Sequence, residues 1–448
     1  MTTKRFDFKF DREKAKIGLK RIAFACLIGF IVGFVVVLFD LALYALIGVI
    51  NSLDIWIAVC LPIVGLLLCG IITNFFVPEA RGHGDMIISA YHHDDVMVRG
   101  RLVPGKFLAS IATIGFGGSA GPEGPAINMG GGIGAVIGQK INLSLKEKKN
   151  LLLYGMSAGF GAIFMAPLSG AVFGCEILYR KDFDYSNLFP CIISSGVGFL
   201  IRKYILALFG HKYPLIQIPA INYSFSWYDL LLFIVIGFCC GLVGWLFIKF
   251  FFSIDRKFIN WKRPEWQKTT LGGVAVTLLV LGLMIFSFYF SSGIQDSLLI
   301  LSLGWPLVNI LGTPPMIFSL EFLILLLIFK LVATCLTLGS GGSGGVVAPS
   351  IVMGALLGSI ISAIAVIFVP SLSLDMQMAI IVVSSIAVYA SIAHVPLTGM
   401  LLGGELYGIN FIFPALIASV IGSWIIRKDS IYPSAQFRRG EIGNPFIN

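Results

Sequence analysis

Runs of about 18 or more apolar residues recur from one end of this chain to the other, and each is long enough to cross a bilayer as a helix. The clearest cover 22–50, 56–77, 228–252, 270–291 and 319–338. In lipid no water pairs with the backbone, so a spanning segment must satisfy its own N–H and C=O groups. The pattern predicts an all-α polytopic membrane protein. Composition agrees: 57% of the 448 residues are hydrophobic and 12% are charged, against about 25% charged in a soluble domain. The first run is too long for a straight span and predicts a steep tilt. Others, such as 123–139 and 167–179, are short and bounded by Gly or Pro, and are expected to stop inside the membrane.

The formal net charge is +9, and its placement explains it. Lys4, Arg5, Lys9, Arg12, Lys14, Lys16, Lys20 and Arg21 precede the first apolar run, and Arg427, Lys428, Arg438 and Arg439 follow the last. Basic residues flanking spans mark the cytoplasmic side, so both termini are expected there and nucleic acid is not an expected partner. The first run starts too late and is too long for a signal peptide. The expected organisation is a cytoplasmic segment at 1–21, membrane halves at 22–215 and 216–427, and a short cytoplasmic tail at 428–448. The eight cysteines lie in or at the ends of apolar runs with no C-x-x-C spacing, and read as small core residues.

The chain repeats itself. Shifted by 224 residues, "GFGGSAGPEGPAINMGGGIG" (115–134) meets "GSGGSGGVVAPSIVMGALLG" (339–358), and 13 of the 29 positions from 106 to 134 are identical. They include Lys106/Lys330, Thr113/Thr337, Gly121/Gly345, Pro125/Pro349 and Met129/Met353. "APLSGAVFGCE" (166–176) resembles "VPLTGMLLGGE" (395–405), each ending on an acid, Glu176 and Glu405. "IGFIVGFVVVLF" (28–39) resembles "IGFCCGLVGWLF" (236–247). Tandem membrane units with interrupted helices at corresponding places mark transporters, with the substrate site near the midplane between repeats.

Irregular backbone at membrane depth must be buried in protein or line a wet cavity. A helix start exposes unpaired N–H groups and the positive end of the dipole, which makes it an anion site. Pro125 and Pro349 suit a first helical position, where a missing N–H costs nothing. Two such starts, one per half, predict a place where backbone dipoles replace an anion's water. Close helix packing also uses glycine, but it gives no reason for Glu123 between two prolines. An intramembrane carboxylate among helix starts is functional by default.

Other chemistries find little support. Residues 339–344 match G-x-G-x-x-G, yet a long apolar helix precedes them rather than a strand, and no acid follows at the required distance. There is no G-K-[ST]. "HHDD" (92–95) reads as a solvated turn rather than a metal site. No nucleophile–base pair emerges, so enzymatic activity is not expected. A structural or receptor-like role has no use for an acid amid paired helix interruptions.

Together these residues resemble the CLC family of chloride channels and proton–chloride exchangers, along nearly the whole chain. "GPEGP" (121–125) resembles that family's GREGP motif, whose glutamate gates the anion path, and this places the gate on Glu123. "GVVAP" (345–349) resembles GxFxP, so the backbone of Val346 and Val347 would hold the central anion. "GHGDM" (82–86) stands where the family has GSGIP, putting His83 in the place of an anion-coordinating serine beside Gly84. "DSIYPS" (429–434) resembles the stretch whose tyrosine faces the anion, here Tyr432. "APLSGAVFGCE" (166–176) resembles the helix before the dimer interface and the internal proton glutamate. That acid falls on Ile177, one residue after Glu176, and Pro122 replaces the family's Arg or Lys.

The resemblance implies a homodimer with one pore per subunit in a prokaryotic inner membrane, without a cytoplasmic regulatory domain. The expected activity is proton-coupled chloride exchange, with a passive chloride channel as the alternative. No cofactor or metal is expected. Chloride would be held by helix-start amides at Gly84, Gly124, Val346 and Val347 and by Tyr432, with Glu123 and Glu176 as gating and proton-handling acids and His83 at the inner rim. A structural role, capping or pairing within the bundle, is the alternative for Glu176 and Glu405.

Overall fold

A computed structural model of the chain describes residues 12–92, 98–210, 221–289, 293–312 and 318–436. In chain order its helices are α1 Arg12–Asn51, α2 Ile55–Ile71, α3 Asp85–His92, α4 Leu102–Ser110, α5 Glu123–Lys140, α6 Leu145–Phe164, α7 Pro167–Glu176 and α8 Leu188–Leu208. There follow α9 Leu230–Asn260, α10 Glu265–Tyr289, α11 Trp305–Leu311, α12 Leu320–Gly339, α13 Val347–Phe368, α14 Leu374–Ala393, α15 Pro396–Tyr407 and α16 Ile412–Ile426. The protein is all-α and polytopic. Among the described residues, nine helices are long and apolar enough to cross a membrane. Lys4, Arg5, Lys9, Arg438 and Arg439, three residues of "HHDD" (93–95), and the expected boundary at 215/216 lie outside the described residues.

Helix limits follow the local chemistry. Asp54, Ser144, Ser319 and Ser373 cap α2, α6, α12 and α14 by accepting from first-turn N–H groups, and Ser144 with Glu147 forms a reciprocal capping box. Pro167 and Pro396 open α7 and α15, where a residue without an N–H loses nothing. The 40 residues of α1 exceed what a bilayer core of roughly 30 Å requires at 1.5 Å per residue. At the other extreme α3, α7 and α11 have 8, 10 and 7 residues, too few to span. Pro125 and Pro349 fall at the third helical position, not the first. The outcome is tolerated because none of the first four N–H groups has an acceptor within the helix.

The helices pack through small residues. Gly130 on α5 and Gly155 on α6 meet so closely that a Cβ on either overlaps the other's carbonyl oxygen. With lipid outside as apolar as the side chains inside, such backbone approach supplies the dispersion contacts that hold membrane helices together.

Contacts between corresponding residues are reciprocal. Gly121 N–H donates to Gly345 O at 2.8 Å, and Gly345 N–H returns a bond to Gly121 O at 2.7 Å. Ser119 N–H donates to Thr337 Oγ1 and Ser343 N–H to Thr113 Oγ1, both at 3.1 Å. The hydroxyl pairs Ser119–Thr334 and Ser110–Ser343 stand at 3.0 and 2.9 Å. Farther out, Glu176 at the end of α7 accepts from Leu397 N, Thr398 N and Thr398 Oγ1 at the start of α15. Glu405 near the end of α15 accepts from Leu168 N, Ser169 N and Ser169 Oγ at the start of α7. Each set maps onto its partner by exchanging residues aligned in the internal repeat, as a local two-fold axis between Gly121 and Gly345 requires.

Candidate functional site

The two interrupted helix starts meet head to head. The Gly121–Gly345 bonds bring the beginnings of α5 and α13 together. Gly124 shows why the sequence is glycine there: a Cβ on it would lie 2.6 Å from Gly345 Cα and 2.8 Å from His83 O. No side chain fits where two backbones and a third strand of chain converge.

Glu123 is the first residue of α5 and is 1% exposed. Its Oε2 accepts from the Ala348 N–H at 3.2 Å. Ala348 belongs to the first turn of α13, so the carboxylate of one half sits on the helix start of the other. That is the position the positive end of a helix offers an anion. A buried ion pair, Arg202–Asp40 at 2.6 Å, stands within electrostatic reach of Glu123. Arg202 comes from α8 and also donates to Ala162 O and Ile163 O, at the end of α6. Pro122, in the place of a basic residue, is the residue just before α5, and the local cation comes from elsewhere in the chain.

Beside these starts lies a cavity of about 10 Å³ lined by His83, Gly84, Gly124 and Tyr432, near the lower limit for holding one water. Four of the six residues predicted to hold the anion therefore share one space. Val346 and Val347 do not line it. Both are fully buried at the start of α13, between Gly345 and the Ala348 N–H that Glu123 occupies. The rest of the lining includes Phe173 and Asn128, which the sequence reading missed. Asn128 is 2% exposed, and its Nδ2 donates to Gly124 O at 2.7 Å. A buried amide among the glycines of α5 was the available signal.

Tyr432 reaches the cavity on a strap that leaves the end of α16. Two imidazoles fasten it: His83 Nε2 donates to Ile431 O at 2.8 Å and His394 Nε2 to Asp429 O at 2.6 Å. A carbonyl only accepts, so His83 Nε2 carries hydrogen. A neutral His83 ring has no second N–H for an anion. The His83 ring packs edge-on to Phe251 at 5.2 Å and tilted against Tyr432 at 5.7 Å. Lys106, fully buried, holds the preceding loop by donating to Ala80 O at 3.1 Å and Gly82 O at 2.6 Å.

Glu176 lies away from the cavity lining, capping α15 through three donors at 2.7–2.9 Å. Ile177, beside it, is 1% exposed. Tyr389 on α14 was not anticipated. Its hydroxyl is buried without a hydrogen-bond partner among the described residues, within electrostatic reach of Glu123, Glu176 and Tyr432. Its counterpart in the first half is Phe160, whose ring lies 6.4 Å away; one extra hydroxyl between matched aromatics was the trace in the sequence. Among the described residues no three His, Cys, Asp or Glu side chains converge as a metal site.

Comparison with known proteins agrees with this geometry. Residues 64–427 match the family described as voltage gated chloride channel. An uncharacterized protein of Methanocaldococcus jannaschii is 32% identical over 380 residues, covering 84% of this chain and 87% of that protein. The H(+)/Cl(-) exchange transporter ClcA of Vibrio parahaemolyticus is 27% identical over 425 residues, covering 90% and 85%. Among solved structures, a CLC-type fluoride/proton antiporter superposes with a TM-score of 0.78 at 23% identity, over 93% of this chain and 98% of that one. A slow cyanobacterial Cl-/H+ antiporter gives 0.76 at 22% identity, over 91% and 94%. The matched span, the helix-start geometry and the shared fold lead to one conclusion: the chain is a multi-pass membrane protein of the voltage-gated chloride channel family.

Proposed function

We propose that this protein exchanges chloride for protons across a prokaryotic inner membrane, with both termini in the cytoplasm. It works as a homodimer with one pathway in each subunit and its two halves, 22–215 and 216–427, inverted relative to one another. The observation that carries the reading is the Glu123 carboxylate resting on the start of α13, at 3.2 Å from Ala348 N. Ionised, Glu123 fills the anion position. Protonated, it no longer competes for those amides, and chloride takes its place beside Gly84, Gly124, Tyr432 and the backbone of Val346 and Val347. Relatives named as H(+)/Cl(-) exchange transporters support proton coupling.

In this reading protons reach Glu123 by a route that bypasses Ile177, and Glu176 serves as a staple between the halves because its carboxylate already accepts three bonds. His83 acts at the inner rim by positioning the strap that bears Tyr432. A passive chloride channel is the second reading, favoured by one observation, the apolar Ile177 where an internal acid would stand. The test is transport by purified protein in liposomes under opposed chloride and proton gradients. Exchange requires that a proton gradient drive chloride uphill; a reversal potential indifferent to pH leaves the channel.

A further inference from the structure

A second cavity, about 460 Å³, opens where the chain leaves α7 and α16. Arg180, Lys181, Arg427 and Lys428 line it. Lys181, Arg427 and Lys428 are exposed. Asp429, the acid next in sequence, pairs with Lys249 at 3.0 Å and stands within electrostatic reach of Arg180 and His394. The rest of the lining is mixed: His394 and Ser423 are polar, and Pro396, Val420 and Trp424 are apolar.

Two further observations mark the place as built for an acceptor. Arg180 Nε is buried without a hydrogen-bond partner among the described residues, although its Nη atoms donate to Lys428 O and Pro433 O. A buried donor without a partner is uncommon in a folded protein. Arg427 holds a left-handed backbone, φ 55°, that few non-glycine residues adopt, and its guanidinium lies 5.5 Å from the Trp424 ring centre.

We infer that this cavity binds a phosphate-bearing anion, either the headgroup of an anionic phospholipid or a soluble phosphate compound. Its volume suits a headgroup, and basic pockets between membrane helices recognise anionic headgroups by charge. The cations supply charge-assisted bonds to phosphate oxygens. The apolar wall of Val420 and Trp424 gives an acyl chain somewhere to lie. The occupant sits on the strap that runs from Lys428 to Tyr432.

The experiment measures binding to the purified full-length chain in neutral detergent by native mass spectrometry and titration. The probes are short-chain phosphatidylglycerol, short-chain phosphatidylcholine and pyrophosphate. The expected result is phosphatidylglycerol binding at least about tenfold tighter than phosphatidylcholine, weakened about 100-fold in Lys181→Gln/Arg427→Gln/Lys428→Gln. Lys262→Gln/Arg263→Gln, with two other exposed charges removed, should bind as the wild type does. If the triple variant does not fold, Lys181→Gln/Lys428→Gln reads the same effect at about tenfold. Phosphatidylglycerol binding that pyrophosphate does not displace identifies the lipid as source. Pyrophosphate binding, alone or in competition, identifies a soluble phosphate. Binding of phosphatidylglycerol and pyrophosphate that is equal in wild type and cavity variants, or no binding of either of these two by the wild type, overturns the site.

Discussion

A carboxylate and a chloride ion present the same charge to a helix start, and Glu123 occupies α13 on those terms. The valines beside it are apolar and buried, so any hold on an anion belongs to their backbone. Val347 opens α13, where proline is well accommodated. Val347→Ala should leave chloride affinity nearly unchanged. Val347→Pro removes one N–H and should lose about 1–3 kcal/mol, roughly tenfold to a hundredfold in affinity by calorimetry. Equal affinities in the two folded variants remove that amide from the site. His83 offers a second case, because its Nε2–H is engaged by Ile431 O. His83→Gln should preserve chloride affinity by keeping a donor, whereas His83→Ala should weaken it as Tyr432 loses its anchor; a pH profile of flux that changes in His83→Gln would instead make the ring a titrating member of the path. At this scale the sequence was most informative where a residue was out of place. Glu123 is an acid among glycines, and His83, Gly84, Gly124 and Tyr432 stood in recognisable motifs. Asn128 and Tyr389 were missed because each lies inside a helix whose apolar pattern it barely disturbs.

Between elements, the Glu176–α15 and Glu405–α7 caps join the halves by exchanged carboxylates. Glu405→Ala frees two N–H groups and a hydroxyl at the start of α7, and should cost about 1–3 kcal/mol in unfolding stability. Glu176→Gln retains a side chain of the same size but weakens the charge-assisted bonds to α15. It should lower thermal stability while leaving the number of chloride ions moved per proton unchanged. A folded Glu176→Gln protein that moves chloride without protons makes Glu176 the internal proton group and contradicts the staple. Gly155→Ala should destabilise the pairing of α5 and α6, since its methyl meets the Gly130 carbonyl and overpacking costs about 1–3 kcal/mol. Element types were legible in advance because apolar length and helix-breaking residues both act locally. The long runs became helices, and 167–179 gave a short one, the 10-residue α7 opened by Pro167, whereas 123–139 became the 18-residue α5, which begins on Glu123 and is no shorter than α2. The positions of Pro125 and Pro349 within the first turn were not legible, because every N–H there is equally free of an intrahelical acceptor. Nor did spacing reveal that Glu176 would cap α15, a contact set by how the halves cross.

For the whole molecule, the internal repeat was the most informative feature, since an anion held by two helix starts needs two starts at one point. Reciprocal bonds between Gly121 and Gly345, and between the Ser119 and Ser343 regions, bring them there. What breaks the symmetry lies where the aligned residues differ: Glu123 pairs with Val347, and Tyr389 with Phe160. The asymmetry gives one helix start a titratable occupant and leaves the other without one. The central claim is that this occupant competes with chloride and carries the proton. It is tested most directly by recording chloride and pH simultaneously on liposomes containing either wild-type protein or Glu123→Gln, a neutral mimic of the protonated side chain. The wild type should move protons against chloride with a flux that depends on external pH. Glu123→Gln should pass chloride with no proton movement and no dependence on external pH. Proton movement that persists in folded Glu123→Gln, or a chloride flux that keeps the wild-type pH dependence, would contradict the account.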